Sequence, residues 1–322
     1  MQFFHDTNID FIGKRRLFFF LSLSTSIVGL LVAFFLGVDV GIDFKGGTEI
    51  AVKFTGARVE TEQVRKAMDK AKYYGTEIKS YGKADDYLIR IPLGLNQENL
   101  RQNVTDVLKS SFPNSTLSIE KVDKIGPKVG AELRVNAIWA MSLAVIVILI
   151  YIAFRFEFIY GLGAIIALLH DAIIAFVVAV MFNKLGIINL ELNQSTLAAM
   201  LTVLGFSIHD TVIIFDRIRE NREKHKNMAI IPLMNLSINE TLARTINTVL
   251  TAVIVLVVIV VFGGEVLQGF AFVMLVGFIT GAYSSIYIAS SFVIWYLETI
   301  KKANVHELTA SALANKPKAA KA

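Results

Sequence analysis

Apolar positions along this chain fall into six long blocks, 17–37, 134–154, 158–182, 196–215, 242–262 and 268–297, each nearly free of charge. A helix rises ~1.5 Å per residue, so each block can cross ~30 Å of hydrocarbon, some with tilt. The pattern predicts a polytopic α-helical membrane protein with six transmembrane helices. The first block follows Lys14, Arg15 and Arg16 and resembles a signal peptide at first sight. It is too long for a signal core and lacks a small-x-small cleavage pattern, so it reads as a retained span.

Between the first two blocks the pattern changes. Residues 38–133 are polar overall and carry shorter periodicities. "TEIAVKF" alternates as a strand, and Val64, Ala67, Met68 and Ala71 form a helical stripe. "EIKSY" and "DYLIRIP" read as strands paired across "GKAD". Leu100, Val104, Val107 and Leu108 make a second stripe, and "TLSIEKV" a last strand. The order β-α-β-β-α-β predicts an α+β, ferredoxin-like domain inserted between helices one and two. The closing "ALANKPKAAKA" is polar and repetitive, which predicts a tail without fixed structure.

Charge supplies the orientation. Basic residues gather before the first span, between the second and third (Arg155), after the fourth (Arg217, Arg219, Arg222, Lys224, Lys226) and after the sixth (Lys301, Lys302). The alternate side carries Lys184 in one short loop and no Lys or Arg in "GGEVLQ". By the positive-inside rule both termini are cytoplasmic and the domain is extracytoplasmic. The expected organisation is a cytoplasmic N-terminus (1–16), a span (17–37), the external domain (38–133), a five-helix membrane region (134–297) and a disordered cytoplasmic tail (298–322). Of the 322 residues 54% are hydrophobic and 18% charged, against about 25% charged in a typical soluble domain. A net charge of +5 at this length does not suggest a nucleic-acid partner, and the absence of cysteine excludes disulfides.

Against this background the ionisable residues inside the spans stand out: His170, Asp171, His209, Asp210 and Arg244. Each is costly in hydrocarbon, roughly 3 kcal/mol on insertion scales, and such residues face a polar interior or a partner. If span four ends near Asp216, Asp210 lies ~9 Å inside, too deep for a short side chain to reach the headgroups. Arg244 enters on span five at about the same depth, and an ion pair between the two would lower the cost of burying either. His170 and Asp171 are adjacent, so their side chains diverge by ~100° and are expected to meet different partners. Ser207 and Thr211 are placed to hydrogen-bond nearby, and Asn247 shares a face with Arg244. Asp, His, Arg and Asn together are the material of a proton relay. A Gly-x-Ser pattern in "GFSIH" raises an intramembrane protease, but Ser207 and His209 are two apart on a helix and diverge, so no enzyme is expected. Gly277 and Gly281 form a Gly-xxx-Gly pattern continued by Ser284, Ser285 and Ala289, read as helix packing without chemistry.

These motifs resemble a known family. "GIDFKGGTEI" at 41–50, with Asp43, Gly46 and Gly47, looks like the signature that follows the first span in the SecF family, the SecD/SecF branch of the RND superfamily. "GFSIHDTVIIFDRIREN" is similar to its fourth-span motif, written GYSINDTVVVFDRIREN, and "LLHDAIIAF" and "ETLARTINTVLTAVIVL" match its third and fifth spans. His209 stands where that motif has Asn, and Phe206 where it has Tyr. The resemblance implies an RND-like arrangement of six spans beside SecD, association with the SecYEG channel and with SecA and YidC, preprotein as substrate, and a bacterial inner membrane. It also implies that Asp210 and Arg244 serve proton-driven function. No P-loop is present, which fits use of the proton-motive force without ATP, cofactor or metal. On this reading motion reaches the external domain through the first and second spans. The alternatives are an RND-type exporter of small molecules or lipids, and a non-transporting scaffold for the translocase.

Overall fold

A computed structural model of the chain describes residues 7–56, 58–80, 85–93 and 99–311. The elements run α1 (Arg15–Leu36), a single turn α2 (Ile42–Lys45), β1 (Gly47–Gly56), α3 (Thr61–Lys70), β2 (Glu77–Ser80), β3 (Asp86–Ile91), α4 (Leu100–Ser111) and β4 (Ser115–Ile125). Long helices follow: α5 (Pro127–Arg155), α6 (Phe158–Lys184), α7 (Gln194–Lys224), α8 (Ile230–Phe262) and α9 (Gly264–Ser284). A π-helical turn, Ser285–Ala289, leads from α9 into α10 (Ser290–Thr299). The elements divide into two compact units, one of Met1–Leu36, Leu143–Ala179 and Ala198–Ala322, the other of Gly37–Ser142 and Val180–Leu197.

The second unit contains the expected α+β domain. Its four strands form an antiparallel sheet in the order β2-β3-β1-β4. That is the order of a ferredoxin-like split βαβ, and the strands and stripes read from the sequence appear in it in turn. Alternation decides which side is dry. Ile50, Val52 and Phe54 of β1 and Ile89 and Ile91 of β3 bury against Val64 and Met68 of α3 and Val104 and Leu108 of α4. The intervening positions Glu49, Glu77, Lys79 and Arg90 fall on the opposite face, with Glu49 and Glu77 both in register with Arg90. Of the turn expected at "GKAD", Gly82, Lys83 and Ala84 lie outside the described residues.

Among the described residues, six helices are long and apolar enough to cross a membrane. They overrun the apolar blocks: α5 starts at Pro127, before the boundary expected at 134, α7 runs on to Lys224, and α8 begins at Ile230. Hydropathy marks only the stretch that lipid would cover, whereas backbone hydrogen bonding continues into polar residues such as Lys128 and Glu132. The sixth span is interrupted by the π turn, which no apolar pattern encodes.

The tail also departs from expectation. Ile230 N donates to Leu308 O (2.9 Å), Ala310 N to Met228 O (3.0 Å) and Ser311 N to Lys226 O (2.9 Å). Val305 and Ala310 are buried, so apolar side chains hold this part of 298–322 in place. The repetitive segment 312–322 lies outside the described residues.

Candidate functional site

Among the described residues of the first unit two carboxylates are buried, and they differ in what surrounds them. Asp171, on α6, is fully buried. Its Oδ2 accepts hydrogen bonds from Ser207 of α7 (2.5 Å) and Ser284 of α9 (2.6 Å). Its Oδ1 meets His170 Nδ1 at 2.9 Å, and His170 Nε2 bonds the hydroxyl of Ser22 on α1. Four helices thus contribute to one hydrogen-bonded cluster, and every oxygen of Asp171 has a partner. Such a network is the arrangement that makes a buried polar group tolerable.

The structure extends the sequence reading in two ways. His170 and Asp171 do meet different partners, Ser22 for the imidazole and Ser207 and Ser284 for the carboxylate, but they also bond each other. Ser284 is more than a packing residue, since its hydroxyl is one of the two that hold Asp171. The packing itself is as expected. A Cβ at Gly281 would lie 3.3 Å from the Ser207 backbone, and one at Gly277 would lie 2.1 Å from a Val203 methyl. Close approach of α9 to α7 is what brings Ser284 and Ser207 to the same carboxylate. Phe206 supports this contact by stacking on Phe278, with ring centroids 3.8 Å apart.

Asp210 is the opposite case. It is 1% exposed, yet neither carboxyl oxygen has a hydrogen-bond partner among the described residues. Thr211, beside it, spends its hydroxyl on the α7 carbonyl of Ser207 (3.2 Å). No direct bond joins Arg244 to Asp210 here. Arg244 and Asn247 lie on the exposed side of α8, and His209 on the exposed side of α7. Of the predicted relay, the structure therefore brings together His170, Asp171 and Ser207. It leaves Asp210 buried and unpaired, and His209, Arg244 and Asn247 outward. A lone buried carboxyl bears the full desolvation cost of its charge unless something meets it. It is a group whose environment must change when its charge does.

Several of the basic residues at the helix ends form ion pairs. Arg155 pairs with Asp216, Arg222 with Glu157 (2.5 Å) and Arg217 with Glu240 (2.7 Å). These half-exposed pairs are worth little individually and mark the ends of the apolar layer.

The signature residues lie in the second unit. Asp43 Oδ2 accepts the backbone N–H of Gln194, the first residue of α7 (2.9 Å). Gly46 and Gly47 hold positive φ angles of 74° and 138°, and a Cβ on Gly47 would meet the Ile91 carbonyl at 2.9 Å. Side chains are excluded there on both counts. Sequence reasoning missed Ser22, Arg90 and Glu191. Ser22 carried a weak signal, being one of two serines four apart (with Ser26) in an apolar span. Glu191, a lone acid in "NLELN", carried none until its partner on β3 was located.

The family described as protein export membrane protein SecD/SecF, C-terminal, matches residues 103–299. The protein translocase subunit SecF of Calditerrivibrio nitroreducens is 39% identical over 306 residues, covering 92% of this chain and 97% of its own. That of Petrotoga mobilis is 37% identical, covering 92% and 98%. Among solved structures, SecDF from Thermus thermophilus, described as a translocon-associated membrane protein, superposes with a TM-score of 0.79 at 32% identity. The match covers 90% of this chain and 39% of that one, so this chain corresponds to about two fifths of it. SecDF in a super-membrane-facing form gives a TM-score of 0.66 at 30% identity, covering 93% and 40%.

Proposed function

The chain belongs to the SecF family of protein translocase subunits, and from that premise we propose that it is a proton-driven accessory subunit of preprotein export. On this reading it lies in the bacterial inner membrane with both termini cytoplasmic, works beside a SecD partner at the SecYEG channel, and is not an enzyme. The partnership draws support from the correspondence to one part of a longer SecDF chain. The outward placement of His209, Arg244 and Asn247 agrees with it, since polar side chains on that face call for a polar neighbour.

The observation that carries the mechanism is Asp210, buried with no hydrogen-bond partner for either oxygen among the described residues. Moving one charge through 100 mV is worth ~2.3 kcal/mol, enough to bias a conformational equilibrium by tens-fold. Uptake and release of a proton at Asp210 changes which helix arrangement is least costly. Arg244 is the counter-charge in the arrangement where Asp210 is ionised, and a shift of α8 against α7 closes their gap.

The test is export of a Sec-dependent preprotein by membrane vesicles, with the proton gradient imposed or collapsed. Wild-type protein should stimulate export only with the gradient. Asp210→Asn, inserted at equal abundance, should give no stimulation in either condition. Full stimulation by the Asn variant would favour a scaffold over a proton-driven device.

A further inference from the structure

The signature motif and the external sheet converge on one place that the proposed mechanism has not used, the connection between α6 and α7. Val40 pairs with Leu192 in a parallel bridge, Gly41 N donates to Leu192 O (3.0 Å), and Leu192 N donates to Asp39 O (2.8 Å). Two residues on, Asp43 takes the Gln194 N–H. The first N–H groups of a helix have no partner inside it, and a carboxylate there also opposes the positive end of the helix dipole. The same short motif touches two further elements. Gly130, in the first turn of α5, lies where a Cβ would sit 3.2 Å from Gly46 N, and Gly47 runs against the end of β3.

A buried ion network fastens the connection to the sheet. Glu191 is 3% exposed, bonds Arg90 of β3, and accepts from Lys79 of β2 at 2.6 Å. Arg90 also reaches Glu49 (2.6 Å) and Glu77 (3.2 Å). Asp39 accepts from Lys184 (2.7 Å), Asn183 (2.8 Å) and Lys79 (3.4 Å). Burial pushes the Glu191 carboxyl up, but Arg90 and then Lys79 outweigh it and hold the group below its ordinary value. Charged groups paired and hydrogen-bonded in this way are short, directional and hard to separate. The outcome is visible in the division of the chain, where Val180–Leu197 clusters with Gly37–Ser142 and not with the remainder of α6 and α7.

Helix α7 is continuous from Gln194 to Lys224, so its first turn belongs to the domain's unit while Asp210 lies ~24 Å further along the same helix. We propose that Asp39–Gly47, Arg90 and Glu191 form a joint that passes displacement of the Asp210 helix to the external sheet through the first turn of α7. The proposal rests on the reading of Asp210 given above and replaces the route through the first two spans. Asp43, Arg90 and Glu191 are then positioning residues, acting on the domain through α7.

The experiment compares amide hydrogen exchange of β3 in membrane vesicles between the chain with Asp210 and the chain with Asp210→Asn. It is run in three settings: the native joint, a loosened joint (Glu191→Ala, or Asp43→Ala, which leaves the Arg90 network whole), and the loosened joint relinked by Val40→Cys with Leu192→Cys. The chain has no cysteine of its own, so those two thiols pair without competition. Asp210→Asn should shift β3 exchange with the native joint, lose that shift with either loosened joint, and regain it on oxidation of the cysteine pair. Reduction should abolish it again. A joint that serves only stability would raise exchange overall and leave the Asp210-dependent shift intact, which overturns the proposal. Absence of any shift with the native joint overturns it too, and export by the Asp210→Asn variant then shows whether the reading of Asp210 has failed with it.

Discussion

Asp171 and Asp210 are both buried among long apolar helices, and their surroundings are opposite. Asp171 has Ser207, Ser284 and His170 on its oxygens, whereas Asp210 has no hydrogen-bond partner among the described residues. The sequence marked both as anomalies in apolar runs, because composition alone reveals an intramembrane charge. It did not distinguish them, since the distinguishing partners come from α1 and α9, far away in the chain. If Asp171 is a fixed fastening point, removing one donor should weaken the bundle. Ser284→Ala leaves a buried carboxylate short of a hydrogen bond, at a cost of about 1–3 kcal/mol. We expect a lowered thermal midpoint in detergent with the gradient response of export retained. A midpoint equal to that of the parent would mean that Asp171 does not depend on Ser284.

At the scale of elements, period decided what was legible. The alternation of β1 and β3 and the stripes of α3 and α4 were readable because one face of each meets a dry core. The span positions were readable from hydropathy, and their overruns were not. The α6–α7 connection escaped the pattern because it is held by long-range contacts, and no apolar periodicity marks the π turn. The contact of α9 with α7 was foreshadowed by Gly-xxx-Gly, and its geometry allows a sharper statement. Val203 is buried, β-branched and stiff at χ1, so a methyl added at Gly277 has nowhere to go. Overpacking of this kind costs about 1–3 kcal/mol. Gly277→Ala should lower thermal stability and Val203→Ala in the same chain should restore part of it, as the methyls at 2.1 and 2.4 Å are then gone and only the Cβ at 2.8 Å has to give. Additive losses in the double variant would show that the two positions do not share a contact.

Across the whole chain, both described ends are tied to the start of α8, which hydropathy had no means to signal. Asn235 accepts from the backbone N–H groups of Phe11 and Ile12 (both 3.0 Å), and Asn239 accepts from Ile9 N (2.9 Å) and donates to Ile9 O (2.9 Å). From the other end, Leu308, Ala310 and Ser311 pair with the segment 226–230 that leads into α8. Composition made the last residues look like a solvated tail, yet Val305 at 2% and Ala310 at 0% exposure are core positions. Ile230, also at 0%, begins the helix that carries Arg244. The strap therefore fixes where α8 starts, and losing it exposes backbone groups and apolar side chains at the α7–α8 turn. Truncation after Lys302 should leave insertion intact but open that turn. Trypsin applied from this side should then cut after Lys224 or Lys226 several-fold faster than in the full chain. Equal digestion rates would show that the turn holds its shape without the strap.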